Sequence, residues 1–222
     1  MLGSTYKMER VGRLGGPLRR FLVVEDDRPF ARSLARYLRG FGRVSVVHTV
    51  SDALARLDEG YEYAGFVLDV GLPDSSGLEL LRLIRERGHD TPALVLTGHD
   101  EADVIAAAQL HHATFLCKPA SQENLFAFVQ WTKEHRRAAE RRLRDAVRDF
   151  GDRHALTPRE EQLLLLSASG TRRSELGAAL GVTEATVKTL VRRLLQRTQR
   201  ADLADVVADV HHGVFHQGAS EQ

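Results

Sequence analysis

With one cysteine, Cys117, the chain of 222 residues cannot form an intrachain disulfide, which suits a reducing compartment. No apolar run approaches the roughly 20 residues needed to cross a bilayer, so no membrane partner is expected. The first residues, through Gly12, Gly15, Gly16 and Pro17, lack the apolar stretch of a signal peptide. Residues 1–18 therefore read as a mobile leader, and the expected location is the cytoplasm. A Gly-x-x-x-x-Gly-Lys phosphate loop is missing, which excludes an ATP-driven activator of transcription. Neither Gly nor Pro occurs from residue 122 to about 150, so a long helix can run there unbroken. Internal repeats are also absent.

Net charge is small, +1, but unevenly distributed. Residues 19–130 carry 12 Lys/Arg against 16 Asp/Glu, whereas residues 131–222 carry 16 against 13. An acidic front and a basic back suggest that only the back meets a polyanion. The length allows two small domains, each with its own core.

In the front half, short apolar runs at 21–24, 44–47, 66–68, 93–96 and 115–117 alternate with helical spacing at 28–39, 52–59, 78–87 and 102–110. Runs rich in Val, Leu and Phe are the mark of strands buried on both faces, and strict alternation with helices implies a doubly wound parallel sheet. Polar groups cluster at the ends of these runs: Glu25, Asp26 and Asp27; Asp69, followed by Leu72, Pro73, Asp74 and Gly77; Thr97; and Lys118 with Pro119. In such a sheet the strand ends converge on one edge, where ligands bind. An acid cluster after a strand is ordinarily just a solvated loop. Asp69 is different, because it closes a buried strand and needs a cation or donors to remain charged. A magnesium ion held by two or three carboxylates and a carbonyl meets that need and suits phosphoryl transfer.

Residues 19–130 resemble the receiver domain of two-component response regulators, with every signature element in order. The resemblance implies a flavodoxin-like (βα)5 fold with Asp69 as phosphoacceptor. It assigns Asp26 to the metal directly, Glu25 mostly through water, and a backbone carbonyl to Gly71. Thr97 and Lys118 would each bind a phosphoryl oxygen, and Phe115 stands where these domains carry a switch aromatic. Lys118-Pro119 is where they carry a cis peptide. The resemblance further implies a sensor histidine kinase as phosphoryl donor and a domain that catalyses only its own phosphorylation and dephosphorylation. Gly71 and His99 occupy positions that gate water at the phosphoaspartate. A dehalogenase-type phosphatase would need a second Asp at 71, where this chain has Gly. His111-His112 replaces the usual Gly-Ala; two exposed histidines at a helix end are expected there, with a pH-sensitive face as the alternative.

From 122 to about 150 a rough three-four spacing of Leu125, Phe128, Thr132, His135, Ala139, Leu143, Ala146 and Phe150 marks a long helix. It reads as a solvated linker over 131–151 that continues the last receiver helix, with helix pairing as the less favoured alternative because His and Thr make poor seams. Beyond it the pattern is all helical. Thr157-Pro158 starts one helix that ends at Gly170, a second covers 172–180, Thr183 caps a third over 184–196, and 202–210 closes the bundle. From Gly213 onward fraying is expected. Val187, Leu190, Val191, Leu194 and Leu195 share one face of the third helix; Lys188, Thr189, Arg192, Arg193 and Gln196 share the other. A helix, a short turn and a capped helix with a basic outer face is the helix-turn-helix plan.

Residues 156–207 resemble the DNA-binding domain of the NarL/LuxR (FixJ-like) response regulators, through Leu156-Thr157-Pro158-Arg159-Glu160, Gly170, Glu175-Leu176, Leu180-Gly181-Val182-Thr183 and Thr186-Val187-Lys188. Departures fall at Arg173-Ser174, Gly177, Leu190 and Arg197-Thr198. The resemblance implies a four-helix domain over 152–216, followed by a tail at 217–222. By position, Lys188, Thr189 and Arg192 face base edges, while Arg173, Thr183, Thr186 and Arg193 hold phosphates. His212 and His216, with His211, lack the acid or thiol that would favour a metal there. The expected function is a phosphorylation-controlled transcriptional regulator, with promoter DNA, RNA polymerase and a second copy as expected partners. The rivals are a phosphate-responsive protein-interaction module and a regulator that signals unphosphorylated.

Overall fold

The computed structural model describes residues 20–98 and 102–218. The expected leader, His99 and the last tail residues lie outside them. Five parallel strands, β1 (Arg20–Val24), β2 (Arg43–Val47), β3 (Gly65–Asp69), β4 (Ala93–Thr97) and β5 (Thr114–Cys117), form one sheet in the order β2-β1-β3-β4-β5. The helices between them are α1 (Arg28–Leu38), α2 (Val50–Asp58), α3 (Gly77–Glu86) and α4 (Ala102–Leu110). This is the α/β alternation that the apolar runs predict. Because the order reverses at β1 and β3, the connections from these strands part in opposite directions and open a crevice beyond their C-terminal ends.

Strand side chains alternate between two cores. Leu22, Val24, Phe66, Leu68, Ala93 and Val95 pack with residues of α2, α3 and α4. Phe21, Val23, Val67, Leu94 and Leu96 pack with Leu34 and Leu38 of α1 and with Leu125, Phe128 and Val129 of the next helix. Each buried Val, Leu or Phe among them contributes about 1.5–3 kcal/mol. All five residues of β3 and of β4 are buried, whereas β2, at the edge, is partly exposed. Helix starts follow cap chemistry: Asp27, Thr49 and Ser76 accept backbone N–H bonds at the heads of α1, α2 and α3.

Helix α5 (Gln122–Arg153) is continuous, and the chain divides into two compact units within it, after Arg136. The expected linker helix over 131–151 does continue the last receiver helix without a break, but its two ends are not solvated. Its early residues belong to the receiver core: Thr132 is buried, and a Cβ on Gly65 of β3 would lie 3.0 Å from its methyl group. Its late residues Ala146, Val147 and Phe150 are buried in the core of the C-terminal unit.

That unit adds α6 (Pro158–Ala168), α7 (Leu176–Leu180), α8 (Glu184–Thr198) and α9 (Leu203–Gly218). Thr157 and Glu160 form a reciprocal capping box at α6. Two expectations fail. Helix α7 begins four residues later than 172, because the preceding segment closes a turn in which Glu175 N–H donates to the Arg172 carbonyl at 2.8 Å. Helix α9 continues through Gly213, since Val206, Val210 and Val214 keep one apolar face on the core.

Candidate functional site

Glu25 and Asp26 follow β1, Asp69 ends β3, and one carboxylate oxygen from each lies within 4.8 Å of the others. Among the described residues they are the only acid or imidazole group close enough to share an ion. Glu25 and Asp69 are buried; Asp26 is exposed. From the end of β5, Lys118 Nζ reaches across the crevice to lie 2.9 Å from both Glu25 carboxylate oxygens and 2.9 Å from Asp69 Oδ2. The Lys118-Pro119 peptide is cis, and Lys118 N–H donates to the Thr97 carbonyl at 2.7 Å. That bond ties the lysine to the end of β4, where Thr97 is buried.

Burial pushes the Glu25 carboxyl up to about 7, offset in part by the bond from Lys118 and reinforced by the charge of Asp69. For Lys118, burial pulls downward, but bonds to Glu25 and Asp69 outweigh it and raise its pKa. Glu25 Oε2, although close to the ammonium, receives no hydrogen bond. Three carboxylates therefore face one ammonium, with a buried oxygen left without a donor. This donor set fits a hard divalent cation such as Mg2+.

The positions expected to matter do not all cluster equally. Gly71 lies in the exposed turn after β3 and bridges to Ser76. Phe115 on β5 is half-buried against the core on the α2–α4 side. Asp74 stands in the sequence motif without a role, and neither His48 nor Phe30 is singled out there. Asp74 accepts Val50 N–H at 2.8 Å, Ser51 N–H at 3.0 Å and the Ser51 hydroxyl at 3.0 Å, which pins the turn after Asp69 to the head of α2. Those bonds lower its pKa. His48 Nδ1 lies 2.7 Å from the Glu25 carbonyl, and the Phe30 ring sits 5.1 Å from Lys118 Nζ. Neither contact carries a motif signal. Arg85 of α3 holds the carbonyls of His89, Thr91 and His111, joining α3 to the end of α4, where His112 adopts φ 50°.

In the C-terminal unit, Gly181 closes α7 in a left-handed conformation, φ 67°, which makes the tight turn into α8. Thr183 caps α8: its hydroxyl accepts Thr186 N–H at 3.2 Å and lies 2.9 Å from the Thr186 hydroxyl. Val187, Leu190, Val191 and Leu194 are buried, while Lys188, Arg192 and Arg193 are exposed. Thr189 is half-buried and its hydroxyl donates to the Ala185 carbonyl at 3.1 Å. Arg173 is exposed in the turn before α7. Leu190 and Thr198 face the core, so these departures serve packing. Arg197 is held on the protein, 3.3 Å from the buried Glu160 carboxylate and donating to the Ala155 carbonyl at 2.6 Å.

Two family models match this chain: the response regulator receiver domain over residues 21–130, and the luxR family of bacterial regulatory proteins over 154–208. The transcriptional regulatory protein FixJ of Azorhizobium caulinodans is 32% identical over 189 residues, covering 83% of this chain and 88% of that protein. Nodulation protein W of Bradyrhizobium diazoefficiens is 31% identical, covering 83% and 82%. Among solved structures, response regulator StyR matches 88% of this chain and 100% of its own at 26% identity, with a TM-score of 0.50. The chain belongs to the two-component response regulators that join a receiver domain to a LuxR-type DNA-binding domain. It is a transcription regulator of that class.

Proposed function

We propose that Asp69 accepts a phosphoryl group from a phosphohistidine on a sensor histidine kinase and that the modified receiver controls promoter binding by α8. The observation that carries this reading is Lys118, which crosses from β5 to bridge Glu25 and Asp69 at 2.9 Å beside three converging acids. Glu25, Asp26, Asp69 and the Gly71 carbonyl would hold Mg2+, which offsets charge on the transferring group.

An Asp69 oxygen forms the new P–O bond as the donor's P–N bond breaks, and the histidine ring keeps that electron pair. The product carries nearly two negative charges at a site where the ammonium already stands. Lys118 moves its bonding from Asp69 to a phosphoryl oxygen, and the Thr97 hydroxyl takes another. Thr97 and Phe115 lie on adjacent strands, and Val95 pairs in register with Phe115, so displacement of the threonine is felt at the aromatic ring.

Output follows from the exposed basic face of α8 in the major groove. Lys188, Thr189 and Arg192 read base edges there. Arg173, Thr183, Thr186 and Arg193 hold phosphates, and two copies engage two half-sites to recruit RNA polymerase. The test is incorporation of phosphate from acetyl phosphate with Mg2+. Wild type should be labelled at one site, and both Asp69→Asn and chelation should abolish labelling. Undiminished labelling of Asp69→Asn would overturn the assignment.

A further inference from the structure

Basic side chains of the C-terminal half are found outside α8 as well as on it. Within the C-terminal unit, Arg137, Arg141, Arg144 and Arg148 follow one another at intervals of four, three and four residues along α5, and all are exposed. That spacing places them in one stripe on a single face of the helix. Ala146, Val147 and Phe150, which anchor this part of α5, point into the core from other positions around the helix. Arg144 pairs with Glu140 at 3.4 Å, both side chains about half exposed. Such a pair is weak and readily surrendered.

We infer that this arginine stripe is a second phosphate-binding surface, which contacts duplex DNA outside the bases read by α8. The inference rests on the DNA-binding reading above. The stripe spans roughly 16 Å of helix, the axial length over which one DNA strand presents about five phosphates. Guanidinium groups pair bidentately with phosphate and are weakly hydrated, so they suit such contacts. Glu140 and Asp145 flank the stripe at three- and four-residue spacing, and no acid occupies positions 137, 141, 144 or 148 themselves. The stripe adds affinity and register without reading sequence.

The test uses the full-length chain with Mg2+ and beryllofluoride, and a long mixed-sequence duplex titrated between about 0.05 and 0.2 M salt. The variant replaces Arg137, Arg141, Arg144 and Arg148 with Gln. A control replaces Arg28, Arg32 and Arg36 of α1 and Arg39 at its C-terminal cap, all exposed, with Gln, which removes the same net charge from the other unit. Circular dichroism checks that both remain folded. The stripe variant should lower the slope of log K against log salt by about 3–4, while the α1 control stays within 1 of wild type. An unchanged slope, or an equal fall in the control, overturns the inference. A wild-type chain without salt-sensitive DNA binding overturns the DNA-binding reading itself.

Discussion

At Gly77 the head of α3 approaches β3 so closely that a Cβ would stand 1.9 Å from the Asp69 carbonyl oxygen. Because that contact is backbone, it cannot move aside without displacing Asp69. Gly77→Ala should therefore destabilise the receiver by about 1–3 kcal/mol and slow phosphate incorporation; urea denaturation and the acetyl phosphate assay check both. The acids and Lys118 were legible in the sequence because each ends an apolar run, where a charge has to be explained. Gly77 stood in the motif without a reason, and Asp74 likewise. The reason for Asp74 lies 24 residues back in the chain, at the N–H of Val50, and no local pattern announces such a bond. Arg197 was read as a departure from the family pattern, yet its charge faces the buried carboxylate of Glu160. A pairing of this kind across α8 and α6 is a tertiary fact.

Among the elements, strands and caps were readable because short continuous apolar runs and cap residues are local properties. Lengths were not. The penalty of about 1 kcal/mol for a glycine inside a helix argued for fraying at Gly213, but Val214 packs on the core and α9 carries on. At α7 the residues from Arg172 are compatible with helix, and a turn takes them instead. Helix α5 was read as continuous, but its charged second half looked solvated, although Phe150 is one of the largest fully buried side chains. Gly151 confirms the close docking there, since a Cβ would meet the Glu161 carboxylate at 2.5 Å. Phe150→Ala should cost about 3–5 kcal/mol. Calorimetry should show this as a lower melting transition of the C-terminal unit with the receiver transition unmoved; a shift in both would mean that α5 couples them into one cooperative fold.

For the whole molecule the open choice is between a dimer held permanently by α5 and one formed on phosphorylation. Pairing of α5 would need an apolar seam sustained over several heptads. The three-four spacing that suggested one is largely used elsewhere: Leu125, Phe128 and Thr132 are buried in the receiver, and Ala146 and Phe150 in the C-terminal unit. Between them remain His135, Ala139 and Leu143, of which Ala139 is exposed and the other two are half-buried. That remnant is too short and too polar for a stable coiled coil. Sedimentation equilibrium with Mg2+ alone should therefore give a monomer, and beryllofluoride, standing in for the phosphoryl group on Asp69, should give a dimer. Asp69→Ala should stay monomeric in both conditions. A dimer without beryllofluoride would return the pairing to α5, and replacing Leu143 with a charged residue would then dissociate it.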